Sequence, residues 1–293
     1  MWFMTFLYQL INGVQVGAIY ALVALGYSMV YGIVRLINFA HGEIIMVGAY
    51  AVWFLVARLL LPAWLAVILA IVFCAALGMT IEKVAYKPLR NSARISLLIT
   101  AIGISFLLQN LAQLVFTANP RMFTNLFPGT VSLGAMGVPL ATVVTILVSV
   151  VLMVGLTFLV SRTKVGRSMR AVSEDKATAE LMGINVNNTI SFTFGLGSGL
   201  AAIAAVLYCC SYSQISPTMG SMLGLKAFVA AVLGGIGSLP GAMFGGLLIG
   251  IFESLTKAYI SSKLADAVVF GILIIVLLIK PVGILGRGVR EKV

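Results

Sequence analysis

The stretch Asn38-Phe39-Ala40-His41-Gly42-Glu43 holds the only histidine of the chain and one of its eight acidic residues. A histidine two positions before a carboxylate could relay protons or share a metal ion. A metal site is disfavoured because there is a single histidine and no cysteine nearby. Apolar segments flank the stretch, and ionisable groups at membrane depth usually face a bundle interior or a pathway. The same residues could instead form a helix cap and dipole partner, with Asn38 as the cap, or contact a partner protein.

A second interruption, at 233–242, reads Leu-Gly-Gly-Ile-Gly-Ser-Leu-Pro-Gly-Ala and lies between two apolar runs. A pair of Gly/Pro-interrupted apolar segments, one in each half of a chain, indicates a transport pathway. The stretch lacks the lysine of a phosphate-binding Gly-x-x-x-x-Gly-Lys-Ser/Thr loop, so we do not expect this chain to hydrolyse nucleotides. The two breaks supply the candidate pathway residues Asn38, His41, Gly42, Glu43, Gly234, Gly235, Gly237, Ser238, Pro240 and Gly241.

The composition places both breaks in a membrane protein. Hydrophobic residues make up 61% of the chain and charged residues 9%, and the mean hydropathy is +1.13. Several apolar runs approach the ~20 residues that cross a bilayer as a helix. We therefore predict an all-α polytopic membrane protein. It would be a single transmembrane domain over residues 1–293, a helical bundle of eight or nine transmembrane segments with two Gly/Pro-interrupted helix pairs.

The apolar runs predict where the helices cross. The first run has neither the basic start nor the cleavage site of a signal peptide, so we expect it to remain as a span. Hydropathy does not separate nine crossings from eight plus a re-entrant piece. The predicted spans are 8–32, 44–60, 64–81, 97–116, 140–160, 190–212, 222–236, 242–259 and 265–279.

The basic residues predict the orientation of these spans. The net charge of +11 comes largely from three short segments beside apolar runs, 83–94, 162–176 and 280–292. This is the positive-inside pattern, so it does not call for a nucleic-acid partner. We expect all three segments in the cytoplasm, the N-terminus outside, the C-terminus inside, and the Pro/Gly-bearing loop 118–137 outside.

The segment 162–188 differs from the other connections because acidic and basic residues mix with helix-forming alanines. Residues 179–185 predict a short helix that stops at the glycine Gly183. The segment is too polar to cross a bilayer, and a connection of this length in a compact bundle is usually functional.

Other side chains have structural interpretations that compete with functional ones. Glu253 and Lys257 are four residues apart in an apolar segment, so they either neutralise each other or couple proton movement. The cysteines Cys74, Cys209 and Cys210 fall inside apolar runs and are expected to pack. Small residues at 13, 17 and 21 and again at 241, 245, 246 and 250 form stripes that allow close helix approach.

Five sequence stretches together resemble the branched-chain amino acid ABC transporter permeases. They run Gly-Ala-Ile-Tyr-Ala-Leu at 17–22, Asn-Phe-Ala-His-Gly-Glu at 38–43, Gly-Arg-Ser-Met-Arg-Ala at 166–171, Ala-Ala-Val-Leu-Gly-Gly-Ile-Gly-Ser-Leu-Pro-Gly-Ala at 230–242, and Pro-Val-Gly-Ile-Leu-Gly at 281–286. The resemblance covers nearly the whole chain in order. It is to the shorter, LivH-type members of that family.

This resemblance implies an importer of leucine, isoleucine and valine. The implied partners are a LivM-type second permease, two cytoplasmic ATPase subunits that use ATP, and a periplasmic substrate-binding protein; the chain itself would bind no cofactor. Urea and short amides remain alternative substrates, and a proton-coupled secondary transporter remains an alternative of a different class. The implied ATPase-coupling residues are Gly166, Arg167, Arg170, Glu174, Asp175, Ala179, Leu181 and Gly183.

Overall fold

The structure is a computed structural model that describes residues 2–34, 38–90, 92–133 and 136–286. These residues form eleven α-helices and two small antiparallel sheets. The helices are α1 (Trp2–Val34), α2 (His41–Ala57), α3 (Ala63–Ile81), α4 (Arg94–Phe116), α5 (Leu140–Arg162), α6 (Lys164–Glu174), α7 (Lys176–Leu181), α8 (Val186–Tyr212), α9 (Met219–Gly234), α10 (Leu239–Tyr259) and α11 (Ala265–Ile279). A π-helical turn (Glu82–Tyr86) continues α3.

Two strand pairs lie in the longer connections, where the sequence predicted only irregular loop. The strands are β1 (Arg121–Met122), β2 (Thr130–Leu133), β3 (Met136–Pro139) and β4 (Gln214–Ile215). β1 pairs with β4 and β2 pairs with β3. The predicted helical membrane bundle is confirmed, with these short strands added at one end.

Six helices, α1, α3, α4, α5, α8 and α10, are long and apolar enough to cross a membrane. α2, α9 and α11 are also apolar but have 17, 16 and 15 residues. At 1.5 Å per residue they reach about 25 Å or less, which is short of the ~30 Å hydrocarbon core. The predicted count of eight or nine crossings therefore stays a prediction.

α1 and α8 form the centre of the bundle. In each, 83% of an apolar 18-residue window is buried, against 22% in α3 and α5. A helix that is apolar on all sides can be buried in the centre of a bundle, whereas an apolar helix with one face exposed at the protein surface is expected to contact lipid there. The large apolar side chains that remain exposed are concentrated on the outer helices, for example Phe73 on α3 and Phe158 on α5.

The predicted small-residue stripes face each other where α1 crosses α10. A Cβ placed on Gly250 would lie 2.1 Å from the backbone nitrogen of Gly17, and one on Gly246 would lie 2.5 Å from Cα of Ala21. The two backbones are therefore in direct contact. Without a hydrophobic effect between helices in lipid, such packing is a principal source of helix association.

The two ends of the bundle hold different connections. Arg90, in the basic connection after α3, donates a hydrogen bond to Asn187 at the start of α8. At the opposite end, β1 and β4 join the 118–137 connection to the one after α8. The basic connections 83–94 and 162–188 thus share one end, as predicted, and 118–137 lies at the other.

Several predicted helix limits are wrong. α2 begins at His41, three residues before the predicted span 44–60, so His41 and Gly42 belong to its first turn and not to a break before it. The predicted place of Glu43 in that first turn is confirmed. Asn38 is not the cap: the N-cap is Ala40 without a side-chain bond, and Asn38 Oδ1 accepts a hydrogen bond of 2.7 Å from the Tyr86 hydroxyl. Residues 35–37, which precede that predicted break, lie outside the described residues.

The second break is shorter than predicted, because α10 begins at Leu239 and includes Pro240 and Gly241. Ser238 is its N-cap and accepts a hydrogen bond from the Gly241 amide. Only Gly235 to Ser238 separate α9 from α10. The short helix predicted at 179–185 is α7, which lies three residues earlier.

The α1–α10 contact gives a direct test of the packing. Gly250→Val should lower the melting temperature of the detergent-purified protein, since the added carbons meet backbone that cannot move aside, and overpacking costs about 1–3 kcal/mol or more. Gly155→Val on α5 is the matched control, because nothing lies within 4 Å of a Cβ there. Equal melting temperatures for the two variants would contradict the described contact.

Candidate functional site

The first turn of α2 is buried and lies against the backbone of α9. His41 is 2% exposed and Glu43 is 1% exposed. A Cβ on Gly42 would lie 2.5 Å from the Gly220 carbonyl oxygen, and one on Gly224 would lie 2.6 Å from Cα of Gly42. Glycines on both helices are therefore needed for this crossing, which holds the first turn of α2 inside the protein.

His41 is a packed side chain in this structure. Its Nε2 would lie 2.4 Å from a Cβ on Gly26 of α1, and its ring meets Tyr27 edge-on with centroids 4.8 Å apart. Nε2 has no hydrogen-bond partner among the described residues, and no hydrogen bond there joins His41 to Glu43. The contacts match the packing interpretation more closely than a relay between these two residues.

Glu43 is the polar centre of the site. Three neutral donors converge on its Oε1: Gln109 Nε2 at 2.9 Å, Ser221 Oγ at 2.9 Å and Ser105 Oγ at 3.2 Å. Its Oε2 is buried and has no partner within the described residues. The carboxylate borders a cavity of about 220 Å³ between α2, α4 and α9, lined also by Phe39, Ile102, Phe106 and Leu225.

Two other buried glutamates are paired with cations. Glu82 bonds to Arg90 and to Ser191. The predicted pair of Glu253 with Lys257 is confirmed at 2.6 Å. Lys226 of α9 also contacts Glu253, at 2.8 Å, and Asp266 of α11, at 2.6 Å. The sequence reasoning missed this link, although a lone lysine in an apolar run was a signal for it.

A larger polar cavity of about 480 Å³ opens at the end that carries the 118–137 connection. It is lined by α1, α5, α8 and α10, and its polar groups include Asn12, Gln15, Glu253 and Lys257. Gln15 bonds to Ser211 and accepts from Thr142 at 2.8 Å. Asn12 and Gln15, three residues apart on α1, both line this cavity, and Gln15 also bonds to neighbouring helices.

The Gly-rich break does not lie beside Glu43. Gly220 and Gly234 are fourteen residues apart on α9, about 20 Å along the helix, so the two sets of candidate pathway residues sit at different depths. Gly235 and Gly237 have φ of +107° and +90°, which favours glycine. Gly237 is instead near α6, in a small cavity that also includes Arg170.

Residues 284–286, beyond α11, cover this break, a feature the sequence did not indicate. The backbone amides of Ile284 and Leu285 donate to the carbonyl oxygens of Leu233 and Gly234 at 2.8 and 2.9 Å. These carbonyls end α9 and would otherwise lack partners. Gly235 is in contact with Gly286, since a Cβ would lie 2.4 Å from the Gly286 nitrogen.

The α6–α7 segment, residues 164–181, is a capped hairpin of two short helices. Thr163 caps α6 and Asp175 caps α7 through side-chain bonds to backbone amides. Hydrogen bonding to the Thr178 amide holds the pKa of the Asp175 carboxyl below its usual range. The cap therefore persists at neutral pH and is lost only as the pH falls through that lowered pKa.

The α7 helix ends as predicted, at a glycine. The amides of Gly183 and Ile184 bond to the carbonyls of Glu180 and Ala179, and Gly183 has φ of +79°, which is the Schellman arrangement. This turn leaves Leu181 88% exposed and Met182 78% exposed. The end of α7 thus carries two exposed apolar side chains.

The remaining predicted coupling residues divide between surface and interior. Glu174 and Arg167 are exposed, whereas Gly166 and Ala179 are buried. Gly166 lies against the Val160 carbonyl, which leaves no room for a Cβ. Arg170 donates to the carbonyls of Val160 and Ser161 at 2.6 and 2.9 Å, so it fastens α6 to the end of α5.

A helical bundle of apolar segments that encloses paired charges and polar cavities defines a multi-pass membrane protein with a polar interior. Residues 9–278 match the model of a family described as "Branched-chain amino acid transport system / permease component". The chain belongs to this family. No solved structure matches it.

Named relatives agree with the family match. The chain is 45% identical to the high-affinity branched-chain amino acid transport system permease protein LivH of Salmonella typhimurium, over 99% of each chain. It is 44% identical to the corresponding protein BraD of Pseudomonas aeruginosa, over 98% of each. A probable LivH of Methanocaldococcus jannaschii is 31% identical over 90% of this chain and 88% of its own.

The covered break generates a paired test. Gly235→Ala should sharply reduce transport and protein abundance, because it combines a positive φ with a contact on the Gly286 backbone. Gly237→Ala should be milder, since its φ is also positive but the nearest atom is 3.8 Å away. Uptake and melting temperature of the two variants measure the difference. If Gly237→Ala is as defective as Gly235→Ala, the contact between Gly235 and Gly286 is not the cause of the Gly235→Ala defect.

Proposed function

We propose that this chain is a permease subunit of an ATP-driven importer of leucine, isoleucine and valine in a bacterial inner membrane. The family match and the relatives named for branched-chain amino acid transport support the substrate. The exposed Leu181 and Met182 at the end of α7 support the coupling to partner subunits and are the observation that carries the mechanism. The chain would not be an enzyme, since ATP would be hydrolysed by the partners.

The orientation follows from the charges. Lys83, Lys87 and Arg90 lie at the same end as the α6–α7 hairpin, and the 118–137 connection lies at the other. By the positive-inside tendency, the hairpin and the C-terminus would be in the cytoplasm and the N-terminus outside. A periplasmic binding protein would meet the outer end, where the 480 Å³ polar cavity opens.

The hairpin would dock on cytoplasmic ATPase subunits. Leu181 and Met182 cannot enter lipid beside the charged residues of the same hairpin, so a groove on a soluble partner suits them. Asp175 and Glu174 lie nearby and would fix the orientation at the rim. Arg170 and Gly166 would transmit the movement, because they tie α6 to the end of α5. A movement of the ATPase bound at Leu181 would in this way be transmitted to the membrane helices.

A second permease, of LivM type, would complete the pathway. On α4 the polar residues Ser105, Gln109 and Gln113 recur every four positions on one stripe and are only partly buried. Such groups are costly against lipid, so this face is expected to meet another subunit across an aqueous passage. ATP-driven closure would reorient the bundle around this passage. Of the predicted pathway residues, Glu43 would border it, and Asn38, His41 and Gly42 would hold the first turn of α2 in place behind it. The break between α9 and α10, with Gly234, Gly235, Gly237, Ser238, Pro240 and Gly241, would bend at its inner end.

The orientation is tested by cysteine labelling. Thr124→Cys should react with an impermeant thiol reagent in intact cells, and Lys176→Cys should react only after lysis, because the charge distribution puts them on opposite sides. Both positions are exposed and the native cysteines are buried, so background labelling is low. Reaction of Lys176→Cys in intact cells would overturn the proposed orientation.

The coupling is tested at Leu181. Leu181→Asp should leave the chain in the membrane but release the ATPases, since truncating a central anchor costs about 1–2 kcal/mol or more, roughly ten-fold in affinity. Uptake of labelled leucine and copurification of ATPases measure the two effects, and Leu181→Met is the control that keeps the apolar contact.

A proton-coupled carrier predicts the opposite result. Uptake would then survive Leu181→Asp and collapse when the proton gradient is dissipated. Competition of labelled leucine by valine, urea and short amides in the unsubstituted strain separates the alternative substrates. Normal uptake by Leu181→Asp with no ATPase attached would end the importer interpretation.

A further inference from the structure

We infer that Glu43 is a binding site for the ammonium group of the transported solute, with the adjoining cavity receiving an apolar side chain. This inference rests on the proposed function and names the chemistry of one site within it. The carboxylate would attract the cationic end of a zwitterionic amino acid. The apolar cavity wall would favour an uncharged, aliphatic side chain on that amino acid.

The absence of a cation near Glu43 is the first observation. Of the three glutamates that are at most 1% exposed, Glu82 contacts Arg90 and Glu253 contacts two lysines. Within the described part of the chain, no lysine or arginine lies within ion-pair distance of Glu43. A buried carboxylate without a cation is costly, so a site that keeps one is suited to accept a mobile cation.

The arrangement of the donors is the second observation. Ser105, Gln109 and Ser221 all bond to Oε1, and the positive end of the α2 dipole lies beside the carboxylate. These neutral groups stabilise the ionised form without using Oε2. Oε2 is buried and, among the described residues, unpartnered. Oε1 is therefore held in place, whereas Oε2, which lies against α9 at Gly220, in the described structure still lacks a donor that a ligand N–H could supply.

The cavity chemistry is the third observation. Ile102, Phe106 and Leu225 line it together with Phe39, so an aliphatic chain would meet apolar surface a few ångströms from the carboxylate. Its volume of about 220 Å³ is below the ~300–1,000 Å³ of pockets for drug-sized ligands. Its side chains on α4 and α9 are partly exposed, at 40% for Ile102 and 37% for Leu225. The cavity therefore opens toward the face where the second permease is proposed.

Glu43→Gln is the direct test, since it keeps the shape and removes the charge. In the complete transporter we expect leucine uptake to fall about ten-fold or more, which is about 1.4 kcal/mol. ATPase copurification and stimulation by the loaded binding protein should be retained. Asn110→Ala is the control, because Asn110 is on α4 next to Gln109 but bonds only to the Phe106 carbonyl in the described structure. Glu43→Gln uptake equal to that of the unsubstituted transporter would overturn the inference.

The outcomes separate this inference from the proposed function. If the unsubstituted transporter imports urea or an amide and no leucine, the proposed substrate fails. If it imports leucine and Glu43→Gln does so equally well, only the ammonium site fails. Loss of leucine uptake with assembly intact supports both.

A labelling experiment decides the matter should Glu43→Gln fail to assemble. Ser105→Cys in an otherwise unchanged transporter should react about ten-fold faster with a cationic methanethiosulfonate than with an anionic one, because the carboxylate is in contact with that position. Millimolar leucine should slow the cationic reaction. Equal rates for both reagents, or no protection by leucine, would overturn the inference.

Discussion

Every polar group in the hydrocarbon region must find its partner inside the protein, because lipid offers none. This constraint explains why most buried carboxylates have a cationic partner within the protein. Glu82 is neutralised by Arg90 in the connection that follows α3, and Glu253 by Lys257 one turn on in α10 and by Lys226 of α9. Glu43 is the exception among these three buried glutamates, because its hydrogen-bond donors are neutral and not cationic. A carboxylate retained under such a constraint needs a function, and solute recognition fits its position.

Close backbone packing is what makes these buried contacts possible. Gly17 against Gly250 and Gly42 against Gly220 let α1, α2, α9 and α10 approach without side chains between them. The first turn of α2 can then be held beside α9 with Glu43 directed at Ser221. At the other end of α9, residues 284–285 supply amides to the last carbonyls of the helix. Small residues and backbone bonds therefore position the charged groups that carry function.

Much of this fold could be predicted from hydropathy, glycine spacing and charge, because each reports a local requirement. The apolar runs predicted the limits of the nine apolar helices among the described residues to within four residues, except the start of α1, which lies six residues earlier. Gly183 predicted the end of α7. Contacts between distant segments could not be predicted from one sequence. Lys226 joining Glu253 and Asp266, and Ile284 bonding to Leu233, depend on the packing of α9 with its neighbours. Asn38 was mistaken for a cap because its true partner, Tyr86, lies 48 residues away.

The central claim is that the face bearing Glu43 and Gln109 lines a passage shared with a second permease, while α3 and α5 face lipid. A cryo-electron microscopy map of the complete transporter in lipid nanodiscs tests it most directly. We expect the second permease and ordered water opposite Gln109, with acyl-chain density along Phe73 of α3 and Phe158 of α5. Acyl chains packed against Gln109, with the second permease on α5, would contradict the claim.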